Sequence, residues 1–141
     1  MYQVKIFTIG KTKERWLADA LDEYTTRLQK MVAIEWIIAK DDAGLARFLE
    51  KEKSFICLDP QGKLLDSLAF SKQLFILLTE GGSRLSIVIG GADGIPVQVK
   101  SRAKKLLSLS PLTFTHQLTR LILLEQLYRA TEIEKGSPYH K

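Results

Sequence analysis

Short runs of β-forming residues alternate with helix-forming stretches along the whole of this 141-residue chain, and that alternation restricts the fold more than any other feature. Strands separated by a helix run in the same direction, because the helix carries the chain back across one face of the sheet. Tyr2 to Ile9 alternates and stops at Gly10, after which Trp16, Leu17, Ala20, Leu21, Tyr24 and Leu28 recur at helical spacing and predict an amphipathic helix over 14–31. Val32 to Ala39 reads as a second strand, with Asp41 and Asp42 placed to cap a short helix around Leu45 to Lys51. Ser54 to Leu58 is a third strand, and Asp59-Pro60-Gln61-Gly62-Lys63 is a turn by composition. A helix over Ser67 to Thr79 should end at Gly81-Gly82, before a strand at Leu85 to Ile89. Val97 to Lys105 predicts a short helix, Leu107 to Leu112 a fifth strand, and the apolar run Leu118 to Ile133 a last helix. The expected architecture is an α/β fold, a mostly parallel sheet with helices on both faces, formed by one domain over 1–141.

With 45% hydrophobic and 26% charged residues the chain has the make-up of one compact core. No apolar stretch reaches the roughly 18 residues of a membrane span, and Met1 to Gly10 lacks the charged, apolar and small-residue order of a signal peptide. A cytoplasmic protein without membrane contact is expected. The lone Cys57 sits in the apolar run Phe55 to Leu58 and reads as a small buried hydrophobe. It is too far from the two histidines, His116 and His140, to suggest a zinc site, so no metal is expected. The formal charge is +5, and residues 95–141 hold eight Lys or Arg against three acids, while 1–94 balance thirteen against thirteen. That asymmetry favours a polyanionic partner such as nucleic acid.

Parallel sheets bind ligands beyond the carboxyl ends of their strands, which directs attention to Leu58–Lys63, Gly90–Ile95 and Ser110–His116. Three glycines in Gly90-Gly91-Ala92-Asp93-Gly94 allow a ligand to approach the backbone closely, although glycine turns after strands are also common structural devices. Thr115 is a suitable N-cap for the last helix, whose first amides form a donor cluster; His116 beside it reads as a structural hydrogen bonder. Ile9-Gly10-Lys11-Thr12 imitates the end of a phosphate-binding loop, but Lys5 occupies the place of the required glycine. It reads as a turn, with Lys11, Lys13 and Arg15 either solvated charges or a patch that meets a polyanion.

In the last helix Leu118, Leu121, Ile122, Leu124, Leu127 and Tyr128 cover more faces than one core contact requires, so a homodimer is expected. Arg120, Glu125 and Arg129 interrupt them, either as an ordinary ion-pair set or as an arginine held near the tail. The tail, Ser137-Pro138-Tyr139-His140-Lys141, concentrates a phenol, an imidazole and an ammonium where chains ordinarily fray.

Taken together, Leu58-Asp59-Pro60-Gln61-Gly62-Lys63, Ile89-Gly90-Gly91-Ala92-Asp93-Gly94, the segment Leu107 through Ala130 and the closing Pro138-Tyr139-His140 closely resemble the ribosomal RNA large subunit methyltransferase H family. These are small SPOUT-class enzymes, and the likeness extends over the whole chain. The resemblance implies a C-terminal trefoil knot, a homodimer, and S-adenosylmethionine as donor of a methyl group to N3 of a pseudouridine in bacterial 23S ribosomal RNA, in the assembled ribosome. It also implies a cofactor pocket of Leu58, Gly90, Gly91, Ser110, Pro111, Leu112, Thr113, Phe114 and Thr115. On the substrate side it points to Tyr139, His140, Arg129 and Lys141 as catalytic residues. His140 would accept the imide proton, Arg129 or Lys141 would stabilise the resulting anion, and Tyr139 would stack on the base. The chain departs from the family in having Thr115 and Gln117 where prolines often flank the histidine, and Lys141 where arginine often follows Tyr-His. The alternatives are a non-catalytic RNA-binding or ribosome-associated module and a nucleotide-binding regulatory domain.

Overall fold

A computed structural model describes residues 1–140, so Lys141 lies outside the described residues. Five strands, β1 (Tyr2–Ile9), β2 (Val32–Ala39), β3 (Ile56–Leu64), β4 (Arg84–Ile89) and β5 (Lys105–Ser108), form one sheet in the order β2-β1-β4-β3-β5. Every pairing between them is parallel. The helices are α1 (Arg15–Leu28), α2 (Asp42–Leu49), α3 (Ser67–Glu80), α4 (Val97–Lys100) and α5 (His116–Lys135), and a 3₁₀ turn follows at Pro138–His140.

Successive side chains of a strand point to opposite faces, and both faces of this sheet are covered. Val4, Ile6, Ile56, Leu85 and Ile87 pack with Leu17 and Leu21 of α1, Leu74 and Leu78 of α3, and Leu123, Leu124 and Leu127 of α5. On the other face Phe7, Cys57 and Val88 meet Leu45 and Leu49 of α2 and Val99 of α4. Burying each of these leucines contributes on the order of 1.5–3 kcal/mol, so the two apolar layers hold the sheet from both sides. Burial and the nearby Asp59 charge push the Cys57 thiol up to about 12, which leaves it unreactive near neutral pH.

The helix starts follow the side chains that cap them: Asp41 accepts from the Gly44 amide at 2.8 Å, Asp66 from Ala69 at 2.8 Å and Thr115 from Leu118 at 3.1 Å. Most element ends move by a few residues from the predicted ones, and three differences shape the site. Asp59 to Lys63 does not form a turn after β3; the strand continues to Leu64 through a register jump in which Leu58 and Lys63 both oppose Leu107. The Asp59 carboxylate holds this bulge, accepting from the Gln61 amide at 2.9 Å and pairing with Lys100 Nζ at 3.0 Å. Gly62 then lies so close to β5 that a Cβ there would stand 2.6 Å from the Leu106 carbonyl carbon. The second difference is that α4 stops at Lys100 rather than Lys105, because the Lys104 amide joins the Phe55 carbonyl at 2.8 Å and begins the pairing of β5. The third is that β5 ends at Ser108, four residues before the predicted Leu112. Beyond it the Ser108 hydroxyl donates to the Ser110 carbonyl, and the Leu112 amide to Ser110 Oγ.

Candidate active site

Because β4, β3 and β5 are neighbours, the segments that follow them converge at one end of the sheet. They enclose a cavity of about 730 Å³, within the range of sites for small organic ligands. Leu58, Asp59 and Pro60 of β3, Ile89 of β4, the loop Gly90 to Ile95, and much of the segment from Ser108 to Gln117 line it, with Thr119 and Ile122 of α5. Gly90 is the tightest point, since a Cβ at this position would lie 2.5 Å from the Gly94 carbonyl carbon. The Gly94 amide returns to the Gly91 carbonyl at 3.0 Å, and Gly94 takes φ +86°, a left-handed conformation suited to glycine. The result is a cradle with bare backbone on one side and Leu58, Leu109, Phe114 and Ile122 on others, a setting suited to a flat heteroaromatic ring. Burial, then the charges of Arg120 and Lys13, lower the His116 pKa, so the imidazole in this wall is neutral at pH 7.

Next to the cavity, α5 holds the β1–α1 connection. Arg120 has no exposed surface and donates to the Ile9 carbonyl at 2.9 Å, the Gly10 carbonyl at 2.6 Å and Thr12 Oγ1 at 3.0 Å. Its Nε is buried and has no partner among the described residues. Among the described residues no carboxylate pairs with this cation; its compensation comes from these oxygens alone. Leaving such acceptors unpaired costs about 1–3 kcal/mol each. Arg120→Met is therefore expected to lower stability by about 3 kcal/mol, read as a lower urea midpoint with an unchanged m-value.

At the opposite end of α5 the tail folds back onto the helix. The Tyr139 ring stands edge to face against Tyr128 at 4.9 Å, and the Arg129 guanidinium lies 5.1 Å from the Tyr139 centroid. Glu125 is the hub of this cluster, accepting from Arg129 Nη2 at 2.9 Å and from the Tyr139 hydroxyl at 3.3 Å. Burial first, then hydrogen bonding to Tyr24 and the Glu125 charge, push the Tyr139 phenol up to about 12, so it remains a protonated donor. The His140 carbonyl accepts from Arg129 Nη1 at 3.4 Å, while the His140 Nδ1 is buried and has no partner among the described residues.

Eight of the nine residues expected in the cofactor pocket, Leu58, Gly90, Gly91, Ser110, Leu112, Thr113, Phe114 and Thr115, line the cavity; Pro111 does not. Arg129, Tyr139 and His140 form one cluster, but none of them lines the cavity. From Ile122, where α5 leaves the cavity, Arg129 is seven residues further along the helix, about 10 Å at 1.5 Å per residue. Asp59 shapes the β3 bulge, a use that nothing in a turn-like composition signals. Of the set Arg120, Glu125 and Arg129, Glu125 pairs with Arg129 at i,i+4 and holds it beside the tail, whereas Arg120 binds the oxygens of the β1–α1 connection instead. The C-terminal surplus of positive charge is also not a continuous basic face. Arg120 is buried, and Lys100, Lys104 and Arg129 pair with Asp59, Glu80 and Glu125.

Comparison with known proteins agrees with this arrangement. A family model described as "Predicted SPOUT methyltransferase" matches residues 2–140. The ribosomal RNA large subunit methyltransferase H of Protochlamydia amoebophila (strain UWE25) is 54% identical over 141 residues, covering 100% of both chains. The protein of that name from Synechococcus sp. (strain CC9311) is 40% identical over 140 residues, covering 97% of this chain and 95% of its own. Two solved structures share the fold. One, described as a probable methyltransferase from Bordetella pertussis Tohama I, has TM-score 0.57 and 9% identity over 92% of this chain and 96% of its own. The other, TrmJ from Z. mobilis ZM4, has TM-score 0.54 and 6% identity over 92% and 69%. With a parallel sheet, a glycine cradle at its carboxyl end and full-length kinship to these enzymes, the chain belongs to the SPOUT methyltransferases, within the ribosomal RNA large subunit methyltransferase H family.

Proposed function

We propose that this protein is a cytoplasmic homodimer that transfers a methyl group from S-adenosylmethionine to N3 of a pseudouridine in the 23S RNA of the assembled bacterial ribosome. The observation that carries the reading is the cradle at Gly90, whose backbone closure leaves a cavity for a heteroaromatic ligand in a chain with this kinship. The residues fit the donor: apolar walls suit the adenine ring, and His116 adds no positive charge beside a cationic sulfonium. Leu58, Gly90, Gly91, Ser110 and the segment from Leu112 to Thr115 would hold it. When bound, S-adenosylmethionine supplies an electrophilic methyl group. The chain's own residues position the base and remove its imide proton, with His140 as acceptor. Tyr139 offers a ring for the base to stack on, and Arg129, its fork already engaged by Glu125, positions the tail and adds positive potential. Lys141 would add a second cation on the substrate side.

The separation of the tail from its own cavity favours a dimer in which the tail of one protomer completes the cavity of the other. Kinship with the SPOUT methyltransferases implies a trefoil knot within the single domain 1–141, and a β4–β5 connection that crosses β3 is compatible with one. Labelled S-adenosylmethionine should transfer its methyl group to ribosomes lacking the modification. Co-sedimentation without incorporated label would instead identify a binding module, and competition by adenine nucleotides a regulatory domain.

A further inference from the structure

We infer that the β1–α1 loop from Lys11 to Glu14, with Arg15 and Trp16 of the first turn of α1, is the surface that grips the RNA backbone beside the cavity. This inference rests on the proposed action on ribosomal RNA. Lys11, Lys13 and Arg15 are exposed, and Trp16 keeps 58% of its surface accessible. Residues 11–16 hold three cations against one acid, Glu14, and none of the ion pairs among the described residues uses Lys11, Lys13 or Arg15. Of the eight C-terminal cations Arg120 is buried and Lys100, Lys104 and Arg129 are paired, so half of that surplus is engaged, whereas all three cations of this segment are exposed and outside those ion pairs.

The loop is also held far more firmly than a connection requires. The Lys13 amide donates to Gln117 Oε1 at 3.2 Å and Gln117 Nε2 donates to the Lys11 carbonyl at 3.0 Å, while Arg120 grips Ile9, Gly10 and Thr12 from below. The buried guanidinium adds a fixed positive charge under the same backbone. Gln117 lines the cavity, and Ile9 packs at 3.4 Å from the Cβ position of Gly91, so the clamp sets the loop at a constant place relative to the cavity. Preset cations with a neighbouring open indole suit a looped, single-stranded RNA: lysines contact phosphates, and the indole stacks on an unpaired base.

The test uses the full chain, unmodified bacterial ribosomes as probe, and the variants Lys11→Gln/Lys13→Gln and Trp16→Ala. Each phosphate contact contributes about one unit to the salt dependence of binding, so the double variant should show a log–log slope shallower by about two and weaker co-sedimentation by about tenfold or more. Trp16→Ala should weaken binding by about tenfold with the salt slope retained. S-adenosylmethionine affinity by calorimetry should match the wild type in both. Unchanged slope and affinity would overturn the inference, as would lost ribosome binding accompanied by a fall in molar mass by light scattering, which would make the loop a contact between copies. If the wild type binds ribosomes but incorporates no label, the enzymatic reading fails while sedimentation of the variants still decides the surface. If it does not bind them, both fail.

Discussion

Gly90→Val is expected to abolish S-adenosylmethionine binding in calorimetry. The first atom of any side chain here would sit 2.5 Å from the Gly94 carbonyl carbon and 2.7 Å from both its oxygen and the Ile95 nitrogen. These are backbone atoms of a turn closed by its own hydrogen bond, so relief requires displacing the loop that lines the cavity. Displacing that loop removes the backbone wall against which the donor would pack. The neighbouring glycine provides a control, because a Cβ at Gly91 meets only the Ile9 side chain at 3.4 Å, an ordinary contact, and Gly91→Ala should bind nearly normally. A larger residue at Gly91 would act through Ile9 and the end of β1, which makes it a poorer probe than Gly90. Thr113→Trp, which fills the cavity from an exposed lining residue, covers the case in which Gly90→Val fails to fold. Wild-type affinity in a folded Gly90→Val protein and in Thr113→Trp together would exclude the cavity as the donor site.

The second large effect concerns the tail. His140→Ala should lower turnover by about 100- to 10,000-fold, the range of a lost general base, while S-adenosylmethionine affinity stays at the wild-type value. His140 belongs to the cluster around Glu125 and Arg129, away from its own protomer's cavity. Co-expressing Gly90→Val with His140→Ala chains separates the arrangements. If each site joins one chain's cavity to the other's tail, half of randomly formed dimers are mixed and one of their two sites is intact, so about a quarter of wild-type activity returns. If each chain serves itself, no site is intact and activity stays at the level of the single variants. Unchanged turnover in His140→Ala would remove the imidazole from the chemistry.

The parts legible in the sequence were those written in local chemistry. Tyr2 to Ile9 and Val32 to Ala39 emerged with their observed bounds because β-formers bounded by turn residues have few other uses. Thr115 capped α5 as expected, since the hydroxyl and the amide it satisfies are three residues apart. The glycine loop and the segment from Ser110 to Thr115 were recognised as cavity candidates because both follow strands of a parallel sheet. Asp59 to Lys63 was misread for the same local reason: Asp, Pro and Gly in five residues spell a turn, and only pairing with β5 on one side and Lys100 on the other makes the stretch a bulged strand.

By itself, then, the sequence determined the elements, their parallel direction, the caps and the family, all of which depend on residue types at short spacing. The tertiary structure decided the order β2-β1-β4-β3-β5, the closure of Gly90 onto Gly94, the burial of Arg120 under the β1–α1 loop and the separation of the tail from its own cavity. The strand order, the closure at Gly90 and the Arg120 clamp all depend on backbone atoms, and a backbone carbonyl or amide is the same whatever side chain it carries. No pattern of residue types records which guanidinium or which neighbouring strand will reach it.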